Sequence, residues 1–60
     1  MRKFKLVLMN DDEEFMLYDE KDEVIMESDD QRFRINQAID VFESTLKYLG
    51  IEYEIDIVRE

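Results

Sequence analysis

A single glycine constrains this chain more than any other residue. Gly50 is the only glycine among 60 residues, and there is no proline. It separates a segment with helical periodicity from one with strand periodicity. Upstream, Ile35, Ile39, Phe42, Leu46 and Leu49 recur at steps of four, three, four and three, which makes one stripe along a helix. Ala38 and Thr45 flank the stripe with small side chains that permit close approach to a sheet, while Asp40, Glu43, Ser44 and Lys47 fall mostly on the other side. Downstream, Ile51, Tyr53, Ile55 and Ile57 alternate with Glu52, Glu54 and Asp56. Apolar β-formers on one face and acids on the other describe a half-buried strand. Glycine falls where a helix stop wants a left-handed residue. At the other terminus Asn36 is the expected N-cap, with Asp40 near the positive end of the helix dipole and Lys47 near the negative end.

The preceding residues read as short strands and acidic turns. Residues 2–9 alternate Phe4, Leu6 and Leu8 against Lys3, Lys5, Val7 and Met9, a first strand. Residues 10–14 form a polar turn. Phe15, Met16, Leu17 and Tyr18 form a second strand, Lys21 and Asp22 a tight turn, and residues 23–27 a third, short strand. Residues 28–35 can be read two ways. Ser28 and Gln31 fit a capping box that would start the helix at Asp29. Against that, Phe33 and Ile35 would lie about 200° apart on a helix, whereas a strand over residues 31–35 puts both inward and Arg32 and Arg34 outward. The expected fold is α+β in a single domain over residues 1–60. It is an antiparallel β-meander with one helix on one face, in the order β-β-β-β-α-β, or β-β-β-α-β with a longer helix.

Composition narrows the function. A 60-residue domain buries only about 60% of its unfolded surface and is marginally stable alone. Cysteine and histidine are both absent, which removes disulfides, structural zinc and any triad built on either residue. Oligomerisation is the remaining support. Ser28, Ser44 and Thr45 lack a histidine base, and a glycosidase carboxylate pair would need a cleft that this chain is too short to build. Asp11 with Asp19, Glu20 and Lys21 has the residue types of a metal-dependent nuclease core, but among 17 acids such a spacing arises easily. Residues 10–14 lack the glycine and closing glutamate of a calcium loop. The expectation is a non-enzyme with no cofactor and no metal site. The basic-then-apolar start is too short for a signal peptide, and no apolar run approaches the roughly 20 residues of a membrane span. A cytoplasmic location is expected.

Charge is unevenly placed. Across residues 10–30, eleven carboxylates stand against Lys21 alone, a local net of −10, while the whole chain carries −9. Nucleic acid and anionic membrane are therefore disfavoured partners, and a protein with a basic surface is favoured. In a meander, Asp11, Asp12, Glu13 and Glu14 share one end of the sheet with Glu27, Asp29 and Asp30, and these seven are the candidate partner-binding acids. Lys3, Lys5, Arg32 and Arg34 are expected to pair across strands with Glu52, Glu54 and Asp56. The helix is expected to cover Phe4, Leu6, Leu8, Phe15, Leu17, Val24, Met26, Phe33, Ile35, Tyr53, Ile55 and Ile57. The other face keeps Val7, Met9, Met16, Tyr18 and Ile25, an apolar surplus whose expected occupant is a second copy in a homodimer.

In size, acidity, lack of cysteine and lack of a catalytic motif, the chain resembles the small acidic inhibitors encoded by bacteriophages. That class includes anti-restriction, anti-CRISPR and other anti-defence proteins and the uracil-DNA glycosylase inhibitors, some of which act as DNA mimics. The likeness implies a stoichiometric inhibitor of a host nuclease, helicase or immune protein, and it assigns no residue. The competing expectation is a structural or regulatory subunit of a larger bacterial or phage assembly, whose acidity serves solubility.

Overall fold

A computed structural model of the chain describes residues 1–28 and 35–60. Its elements are β1 (Arg2–Met9), β2 (Glu14–Tyr18), β3 (Val24–Glu27), α1 (Ile35–Tyr48) and β4 (Tyr53–Arg59). The four strands form one sheet in the order β3-β2-β1-β4. β1 pairs antiparallel with β2, as does β2 with β3, but β4 runs parallel to β1. The sheet is therefore mixed, not an antiparallel meander. Chain direction explains the correction. Two hairpins bring β3 back to the direction of β1. α1 then returns the chain, so β4 also runs with β1 and lies against its free side. The described elements follow β-β-β-α-β. The additional strand expected to end at Ile35, and the alternative capping box with its early helix start, fall mostly on residues 29–34, outside the described residues. Ile35 is the first described residue of α1.

Residues paired across strands share a face. Phe4, Leu6 and Leu8 align with Leu17 and Phe15 on one side and with Ile55 and Ile57 on the other. This face meets α1. Phe4, Leu6, Leu8, Phe15, Leu17, Ala38 and Leu46 form the buried core, with Met26, Ile35, Ile39, Phe42, Ile51, Tyr53 and Ile55 packed around them. Phe4 and Phe42 meet edge to face at 5.1 Å, joining helix to central strand. Such a pair contributes about 0.5–1.5 kcal/mol beyond its buried area. Val24, expected under the helix, is 46% exposed. The register between β2 and β3 shifts at Leu17/Tyr18: Met26 pairs with Leu17 and Val24 with Tyr18, leaving Ile25 without a partner. One extra residue reverses the alternation beyond it.

The helix stop has the geometry expected of Gly50, which takes φ 72°. The Ile51 N–H donates to the Leu46 carbonyl at 2.9 Å and the Gly50 N–H to that of Lys47 at 3.1 Å. These are the two bonds of a Schellman motif, and Ile51 and Leu46 make its apolar contact. The reversal moves Leu49 off the core stripe, where it is 60% exposed. Ile51 takes its place. Lys47 lies in the last turn as expected. At the start, Asn36 sits inside the first turn rather than capping it, and Asp40 lies beyond a first turn that holds no acid. No described helix is long and apolar enough to cross a membrane.

Two stability results follow from this helix end. Gly50→Ala costs about 1–2 kcal/mol in chemical denaturation, because a left-handed L-residue is strained although the added Cβ meets nothing within 4 Å. Leu46→Ala costs about 2–5 kcal/mol, whereas Leu49→Ala stays within about 0.5 kcal/mol. The reverse order would return Leu49 to the core.

Candidate functional site: the acidic end and the open face of the sheet

The β1–β2 turn makes a connection that usually takes glycine. Asn10, Asp11 and Asp12 adopt φ of 54°, 55° and 65°, and the Glu13 N–H closes the turn on the Asn10 carbonyl at 3.1 Å. Asn and Asp tolerate the left-handed region better than other L-residues, so one run of residues provides both the turn and the charge. Glu27 lies at the same end, paired with Met16 on β2. Ser28 extends that pairing: its N–H donates to the Phe15 carbonyl at 3.1 Å, and its hydroxyl accepts the Phe15 N–H at 2.9 Å. Asp11, Asp12, Glu13, Glu14 and Glu27 are thus brought together and all are exposed. Asp29 and Asp30 lie outside the described residues. Arg59, at the end of β4, stands 3.5 Å from Asp12.

The opposite end of the sheet is also acidic, but three of its four acids, Asp19, Glu20 and Asp22, are engaged. Asp19 Oδ1 accepts the N–H of Lys21 at 2.8 Å and of Glu23 at 2.9 Å. Hydrogen bonds from the Glu23 N–H and then the Lys21 N–H, with the charges of Lys21 and Arg2, hold the Asp19 carboxyl below the ordinary aspartate range against a smaller opposing effect of burial. Arg2 pairs with Glu20 at 2.8 Å and Lys5 with Asp22 at 3.7 Å. The nuclease-like set is divided by this geometry, with Asp11 at one end of the sheet and Asp19, Glu20 and Lys21 at the other. Among the described residues, no three acids lie close enough together to hold a metal ion.

The face away from α1 carries Val7, Met9, Met16 and Tyr18, aligned as Val7–Met16, Met9–Glu14 and Lys5–Tyr18. Val7 is only 7% exposed, yet it lies outside the helix-side core. Its register neighbours are Met16 on β2 and Val58 on β4. The Tyr18 hydroxyl donates to the Met16 sulfur at 3.3 Å. Val58 completes this row and was missed by the alternation argument; its signal was the consecutive apolar pair Ile57-Val58. Ile25 is exposed at the β3 edge. Lys3 aligns with Glu54 and Lys5 with Asp56, but no ion pair joins them among the described residues. Lys5 instead lies over the Tyr18 ring at 5.0 Å, directed toward Asp22.

A cleft of about 850 Å³ opens between the sheet and the start of α1. Leu6, Leu8, Ile35, Ile39 and Ile57 line it, with Asp12, Glu13, Asp40 and Arg59 among its polar residues. No family model matches the chain, and no curated protein or solved structure is similar to it.

The Asp19 turn has a pH signature. A depressed folded-state pKa contributes stability above the unfolded value and loses it as pH falls through the folded value. The melting-temperature gap between the wild type and Asp19→Ala is therefore expected at pH 7 and shrinks below about pH 4. A gap that does not change with pH would rule the carboxylate charge out of the turn.

Proposed function

We propose that this chain is a non-enzymatic protein-binding module that docks its acidic end stoichiometrically on a basic surface, acting as a homodimer through the open face of its sheet. One contrast carries the reading. Three of the four acids at the Asp19 turn, Asp19, Glu20 and Asp22, are held by backbone N–H groups, Arg2 and Lys5, whereas among the described residues only Asp12 of the five acids Asp11, Asp12, Glu13, Glu14 and Glu27 has a basic partner, Arg59. Residues 29–34 add two aspartates and two arginines, a formal balance of zero. Exposed carboxylates gathered at one end of a sheet attract and orient a basic surface. Nucleic-acid-processing and defence proteins present such surfaces, in keeping with the phage-inhibitor class that the sequence resembles.

The experiment is affinity capture from the native host, then titration of the purified partner. Saturation at one partner per protomer and competition by duplex DNA are expected. Neutralising Asp11, Asp12, Glu13 and Glu14 together weakens binding by at least about tenfold, and added salt does likewise. Equal affinity in the neutralised protein removes the electrostatic reading.

The row Val7, Met16 and Val58 also favours a second reading, a subunit whose open face contacts a different protein in a larger assembly. Sedimentation equilibrium decides between them. A homodimer is converted to protomers by Met16→Lys, whereas the subunit reading requires a wild-type protomer of 7.4 kDa.

A further inference from the structure

The two edges of the sheet differ. β3 is four residues long and bears the register shift, both features that discourage further strand pairing. β4 is seven residues long, in unbroken register with β1 and free of proline and glycine. At its two ends the Arg2 N–H donates to the Glu52 carbonyl at 3.0 Å and the Glu60 N–H to the Leu8 carbonyl at 2.9 Å. A parallel ladder repeats every second residue. The bonds to β1 therefore use the even-numbered residues, and the N–H and C=O groups of Tyr53, Ile55, Ile57 and Arg59 face outward. Ile57 on the helix face and Val58 on the open face are 57% and 38% exposed.

We infer that the free edge of β4 is a second docking site, which takes an extended, alternating basic and apolar segment of a partner protein by strand addition. The inference rests on the proposed preference for basic partners but uses a different surface. In an antiparallel addition, residues opposite Ile55 and Ile57 lie on the helix face, beside the cleft lined by Leu6, Ile35 and Ile39. Apolar side chains suit those positions. Residues opposite Glu54 and Asp56 lie on the open face, against two exposed carboxylates that Lys3 and Lys5 do not engage. Lysine or arginine suits those positions. Backbone bonds supply affinity and the alternation supplies selectivity.

A second copy fits this edge badly. Two-fold antiparallel pairing must oppose outward-facing residues, which are odd-numbered. Centring on Ile55 sets Glu54 against Asp56 of the copy, centring on Asp56 opposes the two Asp56 carboxylates, and centring on Ile57 sets Glu54 against Glu60. Each of these registers opposes like charges, so a homodimer belongs to the open face.

The probe is a capped peptide, Lys-Val-Lys-Ile-Lys-Val-Lys, titrated into the isotope-labelled full chain. The control is Lys-Lys-Val-Ile-Val-Lys-Lys, which has the same composition without alternation. The alternating peptide is expected to bind one per protomer, to shift β4 resonances and to protect the Tyr53, Ile55 and Ile57 amides from exchange. Ile57→Pro removes one outward N–H and spares the ladder to β1, so it loses at least about tenfold in affinity while its circular dichroism is kept. If that variant unfolds, the exposed pair Glu54→Lys and Asp56→Lys is expected to lose binding equally. The protein neutralised at residues 11–14 still binds. Equal binding of the two peptides, unchanged affinity in the β4 variants, or β4 protection in the protein alone would overturn the site. Shifts confined to residues 11–14 would also overturn it, while leaving the acidic-end reading intact.

Discussion

The structure depends on the central position of β1 in the sheet. β1 is hydrogen-bonded to β2 along one edge and β4 along the other, in opposite senses. Phe4, Leu6 and Leu8 are enclosed beneath α1, while Val7 is enclosed on the face that no described element covers. A domain of this length has little surplus burial, so the one strand that carries four buried side chains, Phe4, Leu6, Val7 and Leu8, contributes disproportionately. The fully enclosed side chains, Phe15 and Leu17, are those that β2 sets beside Leu8 and Leu6. β3 and β4 close the flanks with shorter or more exposed contacts.

The same arrangement separates the two acidic ends of the sheet. Because β1 and β3 run the same way, the β1–β2 turn and the end of β3 must share one end of the sheet. The Asp19 turn must occupy the other, beside the start of β1. Basic residues cluster at that start, and Arg2 and Lys5 reach Glu20 and Asp22. Topology thus sets two bases, Arg2 and Lys5, against acids of one cluster and, among the described residues, only Arg59 against the other. The asymmetry does not depend on the number of acids, since each turn carries four within five residues. It depends on which turn the amino-terminal bases fold against.

Local pattern revealed the elements but not their long-range relations. α1, the Gly50 stop and the four described strands were legible because periodicities of 3.6 and two, and a left-handed glycine, are written in neighbouring residues. The parallel pairing of β4 was not, because strand direction depends on how many times the chain reverses. Leu49 continued the helical spacing past the residue at which the helix ends, so periodicity assigned it a burial that geometry gave to Ile51. Val24 was misplaced by a bulge, whose single extra residue no alternation rule anticipates. Lys5 was expected to pair with one of the acids Glu52, Glu54 and Asp56; it stands beside Asp56 but lies over Tyr18 toward Asp22. Register names the neighbours of a side chain without choosing among them. The two clusters of the candidate site, the acids at residues 11–14 with Glu27 and the face of Val7, Met9, Met16 and Tyr18, were legible for the same reason as the strands that carry them.

Surplus apolar surface and surplus charge have a common origin in this chain. A sheet of four strands has two faces and two edges, and one helix of fourteen residues can cover only one face. Glu54 and Asp56, exposed beside the β4 edge, oppose edge-to-edge pairing of that strand with an identical copy. In the proposed strand addition, the charges that oppose a second copy of the edge are those that pair with a basic segment, so selectivity for a partner and resistance to self-pairing rest on the same residues, Glu54 and Asp56.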